Sequence, residues 1–224
     1  TKNTSVTVTC SGIKYSVIYN PNGGKGTMEN SSHTYGTAKE LNPNKYYKNG
    51  YSFRGWSKTI NGTIEFKDEE NVVNLTTSSK YNLYAVWSPI TYKITYELNG
   101  GTLENKITTY KITSEDIKLD TPKKEGYTFK GWTTDDNKTP KKEVIIPKGS
   151  TGNKTYTANY ETGKYKIIYK SDKYGTITGI TEETLNYKSS PSGTTKTIKE
   201  GYKNLKWSVN KDVTLKNNTT ILEG

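Results

Sequence analysis

Gly126-Tyr127-Thr128-Phe129-Lys130-Gly131-Trp132 is the stretch that decides how this chain reads. The same pattern stands earlier as Gly50-Tyr51-Ser52-Phe53-Arg54-Gly55-Trp56. A third version, Gly201-Tyr202-Lys203-Asn204-Leu205-Lys206-Trp207, keeps the glycine, the tyrosine and the tryptophan. Aromatic residues about two apart, with small, hydroxylated or basic residues between them, mark a half-buried β-strand. The aromatic face is expected to point inward. One strand written three times implies several small domains in tandem rather than one large one.

Working outward, each of the first two versions sits between the same partners. Upstream lies an alternating strand, Tyr15-Ser16-Val17-Ile18-Tyr19 or Tyr92-Lys93-Ile94-Thr95-Tyr96, followed by the turn Asn22-Gly23-Gly24 or Asn99-Gly100-Gly101. Asn-Gly and Gly-Gly tolerate positive φ, which gives this turn signal a mechanism. Downstream lies a closing strand, Tyr81-Asn82-Leu83-Tyr84-Ala85-Val86-Trp87 or Tyr156-Thr157-Ala158-Asn159-Tyr160. Residues 28–47 are weakly patterned and read as a short helix or an irregular crossover. Ile145-Ile146-Pro147-Lys148-Gly149 reads as an edge strand and turn. The expected organisation is an N-terminal segment over 1–13, a first repeat over 14–87, a second over 92–160, and a third over 165–224 that is divergent or truncated.

The third repeat opens well at Tyr165-Lys166-Ile167-Ile168-Tyr169 but lacks the Asn-Gly-Gly turn. Val213-Thr214-Leu215 and Thr220-Ile221-Leu222 are its candidate closing strands. In the N-terminal segment, Ser5-Val6-Thr7-Val8-Thr9-Cys10 reads as a short edge strand or the end of a preceding domain. The join Ser88-Pro89-Ile90-Thr91 leaves little slack, so an elongated rod of beads is expected.

Composition sets the character of the cores. With 19 Tyr and 4 Trp against 3 Phe, the rings replace missing aliphatics, and each carries a hydroxyl or indole N–H that needs a partner. The formal charge is +11 and is spread over the repeats, with one arginine, Arg54. Nucleic-acid binders focus their charge and favour arginine, so nucleic acid is not expected. A diffuse positive surface instead favours salt-sensitive contact with anionic polymers. No run is long or apolar enough for membrane insertion.

Chemistry has little to work with. Cys10 and His33 are the only cysteine and histidine, without counterparts in the other repeats, which argues against metal or nucleophile arrangements. His33 reads as a solvated loop residue. The acidic groups Asp68-Glu69-Glu70, Asp135-Asp136 and Glu182-Glu183 read as turn charge rather than as calcium loops. No catalytic, cofactor-binding or metal-binding residue is assigned, no cofactor is expected, and the ligand-binding residues are unknown.

An opening strand with Asn-Gly-Gly, a central GY(S/T)F(R/K)GW and a closing Tyr-Ala-Val-Trp or Thr-Ala-Asn-Tyr together resemble the Listeria-Bacteroides repeat, also called the internalin B-repeat. The resemblance covers residues 14–87 and 92–160. Over 165–224 it rests on the opening strand, Gly201, Tyr202 and Trp207. It implies a mainly β fold, β-grasp-like, with α+β as the alternative, and a tandem of such domains in large surface proteins of mainly Gram-positive bacteria. It implies no enzyme. A non-catalytic stalk or spacer with adhesive capacity is expected, extracellular at the cell surface or cell wall, monomeric within a larger chain. Its expected partner is a host protein or an anionic glycan or cell-wall polymer. The other reading is a specific glycan- or host-protein-binding module, in which one repeat exposes rings that its neighbours lack.

Overall fold

A computed structural model describes residues 4–203 of the 224. Trp207 and the candidate closing strands of the third repeat lie outside the described residues. The first repeat consists of β1 (Lys14–Asn20), β2 (Ser31–Thr34), β3 (Lys39–Glu40), β4 (Tyr51–Ser57), β5 (Asn71–Val72) and β6 (Lys80–Pro89). The second repeats the series as β7 (Thr91–Glu97), β8 (Thr109–Lys111), β9 (Ile117–Lys118), β10 (Tyr127–Thr133), β11 (Ile145–Ile146) and β12 (Lys154–Thr162). Residues 164–198 contribute β13 (Lys164–Ile168), β14 (Gly175–Thr178), β15 (Glu182–Asn186) and β16 (Thr195–Ile198). The fold is all-β, with no helix among the described residues. The weakly patterned residues 28–47 form β2, β3 and a bridge from Tyr47 to Lys25 instead of a helix.

In the first repeat the sheet order is β2-β1-β6-β4, with β1 and β6 parallel and both outer pairs antiparallel. The second has the matching order β10-β12-β7-β8. Each repeat adds a two-stranded ribbon, β3 with β5 and β9 with β11. After the second repeat, β13 pairs with β15 and β14 with β16. The chain divides into two compact units: Thr1–Ile94 with Ile107–Ile117 and Ile145–Lys154, and Thr95–Lys106 with Lys118–Val144 and Thr155–Gly224.

The aromatic strand steps from Phe53 to Trp56 over three residues, which plain alternation would place on opposite faces. A β-bulge resolves this. Phe53 faces Trp87 and Gly55 faces Val86, leaving Arg54 as the extra residue; Phe129 faces Tyr160 and Gly131 faces Asn159, leaving Lys130. The strand regains its inward phase at Trp56, and Gly55 and Ser57 on the opposite face are buried as well. Glycine is required at the bulge, because φ is +142° at Gly55 and +141° at Gly131. A Cβ on Gly131 would also stand 2.6 Å from the Lys141 nitrogen of the segment that bridges Trp132.

The first core gathers Tyr15, Val17, Tyr19, Leu41, Tyr46, Trp56, Val72, Leu83 and Ala85. Trp56 is fully buried, with the rings of Tyr19 and Phe53 at 5.0 and 4.9 Å. Trp132 is its equivalent, 2% exposed, with Tyr96 and Phe129 at 5.6 and 5.5 Å. Such tilted ring pairs add roughly 0.5–1.5 kcal/mol each beyond their area. The Asn-Gly-Gly turn is stapled to this arrangement. Asn22 and Gly23 both have positive φ, as do Asn99 and Gly100, and the Asn22 and Asn99 amides each donate to the closing-strand alanine, Ala85 or Ala158, at 2.9 Å.

Residues 4–13 carry no strand, and Val6 and Val8 are almost wholly exposed, so the short alternating run there remains unpaired among the described residues. Alternation alone does not make a strand when no partner edge is offered.

Candidate functional site

The residues that sequence reading singled out fall into three places. The first is the interior. Of the motif rings, the tryptophans are core and the phenylalanines half-buried, whereas Tyr51 is only half-buried and Tyr127 is 36% exposed. The motif tyrosine therefore stands on the same face as the phenylalanine and tryptophan, but as the first residue of the strand. It sits after a turn in which Tyr51 N–H donates to Lys48 C=O at 3.0 Å, or Tyr127 N–H to Lys124 C=O at 3.1 Å. Positive φ at the third turn residue, Gly50 or Gly126, is the type II requirement. The turn lysine lies over the tyrosine ring, Lys48 Nζ 4.7 Å from the Tyr51 centroid and Lys124 Nζ 4.3 Å from that of Tyr127. This Lys-x-Gly-Tyr unit is a cationic, aromatic surface feature that the seven-residue motif hid, because its lysine lies two residues upstream.

The second place corrects an expectation. His33 is 1% exposed, on β2 opposite Tyr15, with the two rings stacked at 5.5 Å. Its Nε2 lies 2.8 Å from Ser31 Oγ, which lies 2.9 Å from the Tyr19 hydroxyl, and that hydroxyl accepts Asn42 N–H at 2.8 Å. His33 Nδ1 is buried without a hydrogen-bond partner, so an imidazolium would bring a donor with nothing to accept it. Burial, and then the charge of Lys39, hold the imidazole below its ordinary pKa. In the second repeat the same register position holds Tyr110, whose hydroxyl donates to Gly152 C=O. His33 is thus a buried core residue, a neutral ring in a slot where the other repeat has a phenol.

The third place is the charged surface. Asp68 accepts Asn44 N–H at 3.0 Å, Glu70 accepts Lys67 N–H at 2.6 Å, and Glu182 pairs with Lys166 at 2.6 Å. Asp135 pairs with Lys138 at 3.7 Å, and Glu183 accepts Ser192 N–H and the Tyr169 hydroxyl. These acids order turns and ion pairs. No group of three or more His, Cys, Asp or Glu side chains among the described residues is placed to hold a metal ion. Exposed pairs such as Lys123–Glu104 and Lys148–Glu115 are screened by solvent and add little, and the net charge remains strongly positive around them. No helix among the described residues is long and apolar enough to cross a membrane.

The ring of Tyr47 distinguishes the first repeat from the second. Tyr47 is 62% exposed beside Lys25, and the bridge between Thr102 and Lys123 puts a lysine at the corresponding position of the second repeat.

The family model that matches the chain is the Listeria-Bacteroides repeat domain, twice, over residues 15–86 and 92–159, together more than half of the sequence. Two relatives come from Evansella cellulosilytica. One, provisionally named a Gly-rich membrane protein, is 28% identical over 71% of this chain and 18% of its own length. The other, provisionally named a membrane protein, is 26% identical over 88% of this chain and 29% of its own. The chain therefore spans less than a third of either relative. No solved structure matches it.

Proposed function

Because the chain belongs to the Listeria-Bacteroides repeat family, we propose that it is a non-catalytic repeat segment of a bacterial cell-surface protein, serving as a spacer that also adheres to anionic polymers of the wall or of a host glycan coat. Relatives named as membrane proteins fit a surface location. The observation that carries the spacer reading is the way one repeat hands over to the next. Ile90 N–H donates to Gly50 C=O at 2.9 Å, and Gly163 N–H donates to Gly126 C=O at 2.8 Å. The same backbone bond, at the same motif glycine, fixes the exit of both repeats. A spacer needs joins of this kind, since a free hinge would let its load collapse. The adhesive part follows from the spread of lysines, which attract polyanions at a range limited to about 8 Å in physiological salt.

The test is binding of the full chain to immobilised teichoic-acid-type polymer over a salt series. Weak binding that fades as salt rises supports the reading. Tight, saturable binding indifferent to salt overturns it. Tyr47 favours the second reading, a glycan-specific first repeat, because an exposed ring is the usual platform for a sugar face and the second repeat lacks it. A glycan screen in which Tyr47→Ala removes a saturable signal would establish that reading.

A further inference from the structure

The backbone that carries Tyr47 is built alike in the first two repeats, but the side chains it presents are not. Lys25 N–H donates to Tyr47 C=O at 2.8 Å and Tyr47 N–H to Lys25 C=O at 3.0 Å, as Thr102 and Lys123 exchange bonds at 2.8 Å each. Residues paired in this way stand directly opposite one another and share a face. In the first repeat that face looks to solvent, because Tyr46 beside it turns into the core and donates its hydroxyl to Tyr19 C=O at 2.7 Å. Tyr47 is thus an exposed ring on a backbone fixed to its neighbour, with Lys25 across from it.

Charge divides the two places more sharply. Around the first, Asn22-Gly23-Gly24-Lys25-Gly26-Thr27 and Lys45-Tyr46-Tyr47-Lys48-Asn49-Gly50 carry three lysines and no acid. The matching segments of the second, Asn99-Gly100-Gly101-Thr102-Leu103-Glu104 and Thr121-Pro122-Lys123-Lys124-Glu125-Gly126, carry two lysines and two glutamates. There both cations are engaged within the protein: Lys123 pairs with Glu104 at 2.7 Å, and Lys124 Nζ donates to Asn99 C=O at 2.7 Å. Lys25, Lys45 and Lys48 form no ion pair among the described residues. Lys48 Nζ, held over the Tyr51 ring, has no hydrogen-bond acceptor among them either. Asp68, an acid that reaches this segment, is occupied by Asn44 N–H at 3.0 Å.

We propose that this ring and its lysines bind a hexuronate unit of an acidic polysaccharide, with the sugar face stacked on Tyr47 and the uronate carboxylate paired with Lys25. The proposal rests on the reading of the first repeat as glycan-specific, and it names the sugar. A uronate suits both halves of the site. Its carboxylate is attached at the edge of the sugar ring, so it reaches a cation standing about 5 Å away across the strand pair and leaves the sugar faces bare for stacking. A chain of uronates repeats the charge at every sugar, and the units flanking the stacked one meet Lys45 and Lys48. A phosphate polymer satisfies the lysines but offers the ring no flat apolar face. A neutral sugar offers the face without the charge. The second repeat has a paired lysine where the ring would stand, so it does not repeat the site.

The experiment is titration calorimetry on the whole chain, at low and at raised salt, with three probes: a hexuronate oligosaccharide, the uncharged oligosaccharide of the parent hexose, and linear polyphosphate. The expected result is saturable uronate binding that weakens as salt rises. The neutral sugar and the polyphosphate should each bind roughly tenfold more weakly, since each lacks one of the two contacts. Tyr47→Ala and Lys25→Glu are expected to bring the uronate down to that level, whereas Tyr47→Phe, which keeps the ring, binds as the parent does. Both side chains are exposed, so circular dichroism should be unchanged in all three variants. Uronate binding that survives Tyr47→Ala overturns the proposal, as does polyphosphate bound as tightly as the uronate. A neutral sugar that matches the uronate and is lost in Tyr47→Ala also overturns it, but leaves the first repeat glycan-specific. A chain in which Tyr47→Ala changes the binding of neither sugar removes the proposal and the glycan-specific reading together.

Discussion

Replacing Trp132 by alanine probes the second core at its centre. The ring is 2% exposed and is met by Tyr96, Phe129 and Tyr156, so removing it opens a cavity that aromatic neighbours cannot close by small shifts. Large-to-small changes of this kind cost roughly 3–5 kcal/mol. One feature lowers the expectation. The indole Nε1 is buried with no hydrogen-bond partner, as is that of Trp56, and an unsatisfied donor already costs the parent about 1–3 kcal/mol. Alanine removes that penalty together with the ring, which sets the net loss near 3 kcal/mol. Trp132→Phe relieves the donor while keeping one ring, and should cost only about 1 kcal/mol. Hydrogen exchange is the assay, because it reads β10 and β12 separately from β4 and β6. A loss near 3 kcal/mol speeds exchange in β12 about a hundredfold, since each 1.4 kcal/mol is a factor of ten. Unchanged β12 protection in the alanine variant would refute the core assignment. Equal losses for alanine and phenylalanine would refute the unpartnered indole.

Three further outcomes are expected. His33 is held below its ordinary pKa in the folded chain, so the unfolded chain takes up the proton first as pH falls below about 6.5. The stability of the first repeat should then drop with falling pH until the folded imidazole also titrates; urea midpoints at neutral and mildly acidic pH measure this, and His33→Leu should flatten the difference. Gly126→Ala forces a methyl against the Tyr187 ring at a φ of +75°, and should weaken the second joint by about 1–2 kcal/mol, read as faster exchange of the Gly163 and Tyr187 amides with Trp132 still protected. Tyr96 is pushed up to about 12 by burial, then by Tyr156 and Asp120. Its contribution to stability is whole below about pH 10 and is lost as pH rises toward 12; phenolate absorbance should show a late-titrating group that vanishes in Tyr96→Phe.

The first two repeats were largely legible because their signals are local. Tyr15, Val17 and Tyr19 are buried as their alternation required, Ala85 and Ala158 are equivalent and fully buried, and Ile145-Ile146 is a short strand. What sequence did not reveal depends on contacts made at a distance. His33 is polar and flanked by serine and threonine, which suggests a loop, yet β2 is held beside β1 and presses the imidazole against Tyr15. Tyr127 shares the motif with Trp132 and, through the bulge at Lys130, its face as well, but it is the first residue of the strand, next to the Lys124 turn, and stays 36% exposed. A faint hint existed, since the step from phenylalanine to tryptophan is three residues where an unbroken strand would use two. The Lys-x-Gly-Tyr turn was visible letter by letter at Lys48, Lys124 and Lys199. Its role was not, because what covers a glycine is decided by a segment some sixty residues downstream.

The parallel pairing of β1 with β6 has a consequence for a molecule under tension. These strands begin and end the first repeat, and they lie side by side in the register Ser16 to Lys80 through Asn20 to Tyr84. A pull on the two ends of the repeat drags β1 toward its N-terminal end and β6 toward its C-terminal end, along their own axes. All the cross-strand hydrogen bonds are then loaded at once, in shear. An antiparallel terminal pair would instead be peeled open from one end, a bond at a time. The first repeat should therefore yield abruptly and at high force, holding its length until the whole ladder gives way together.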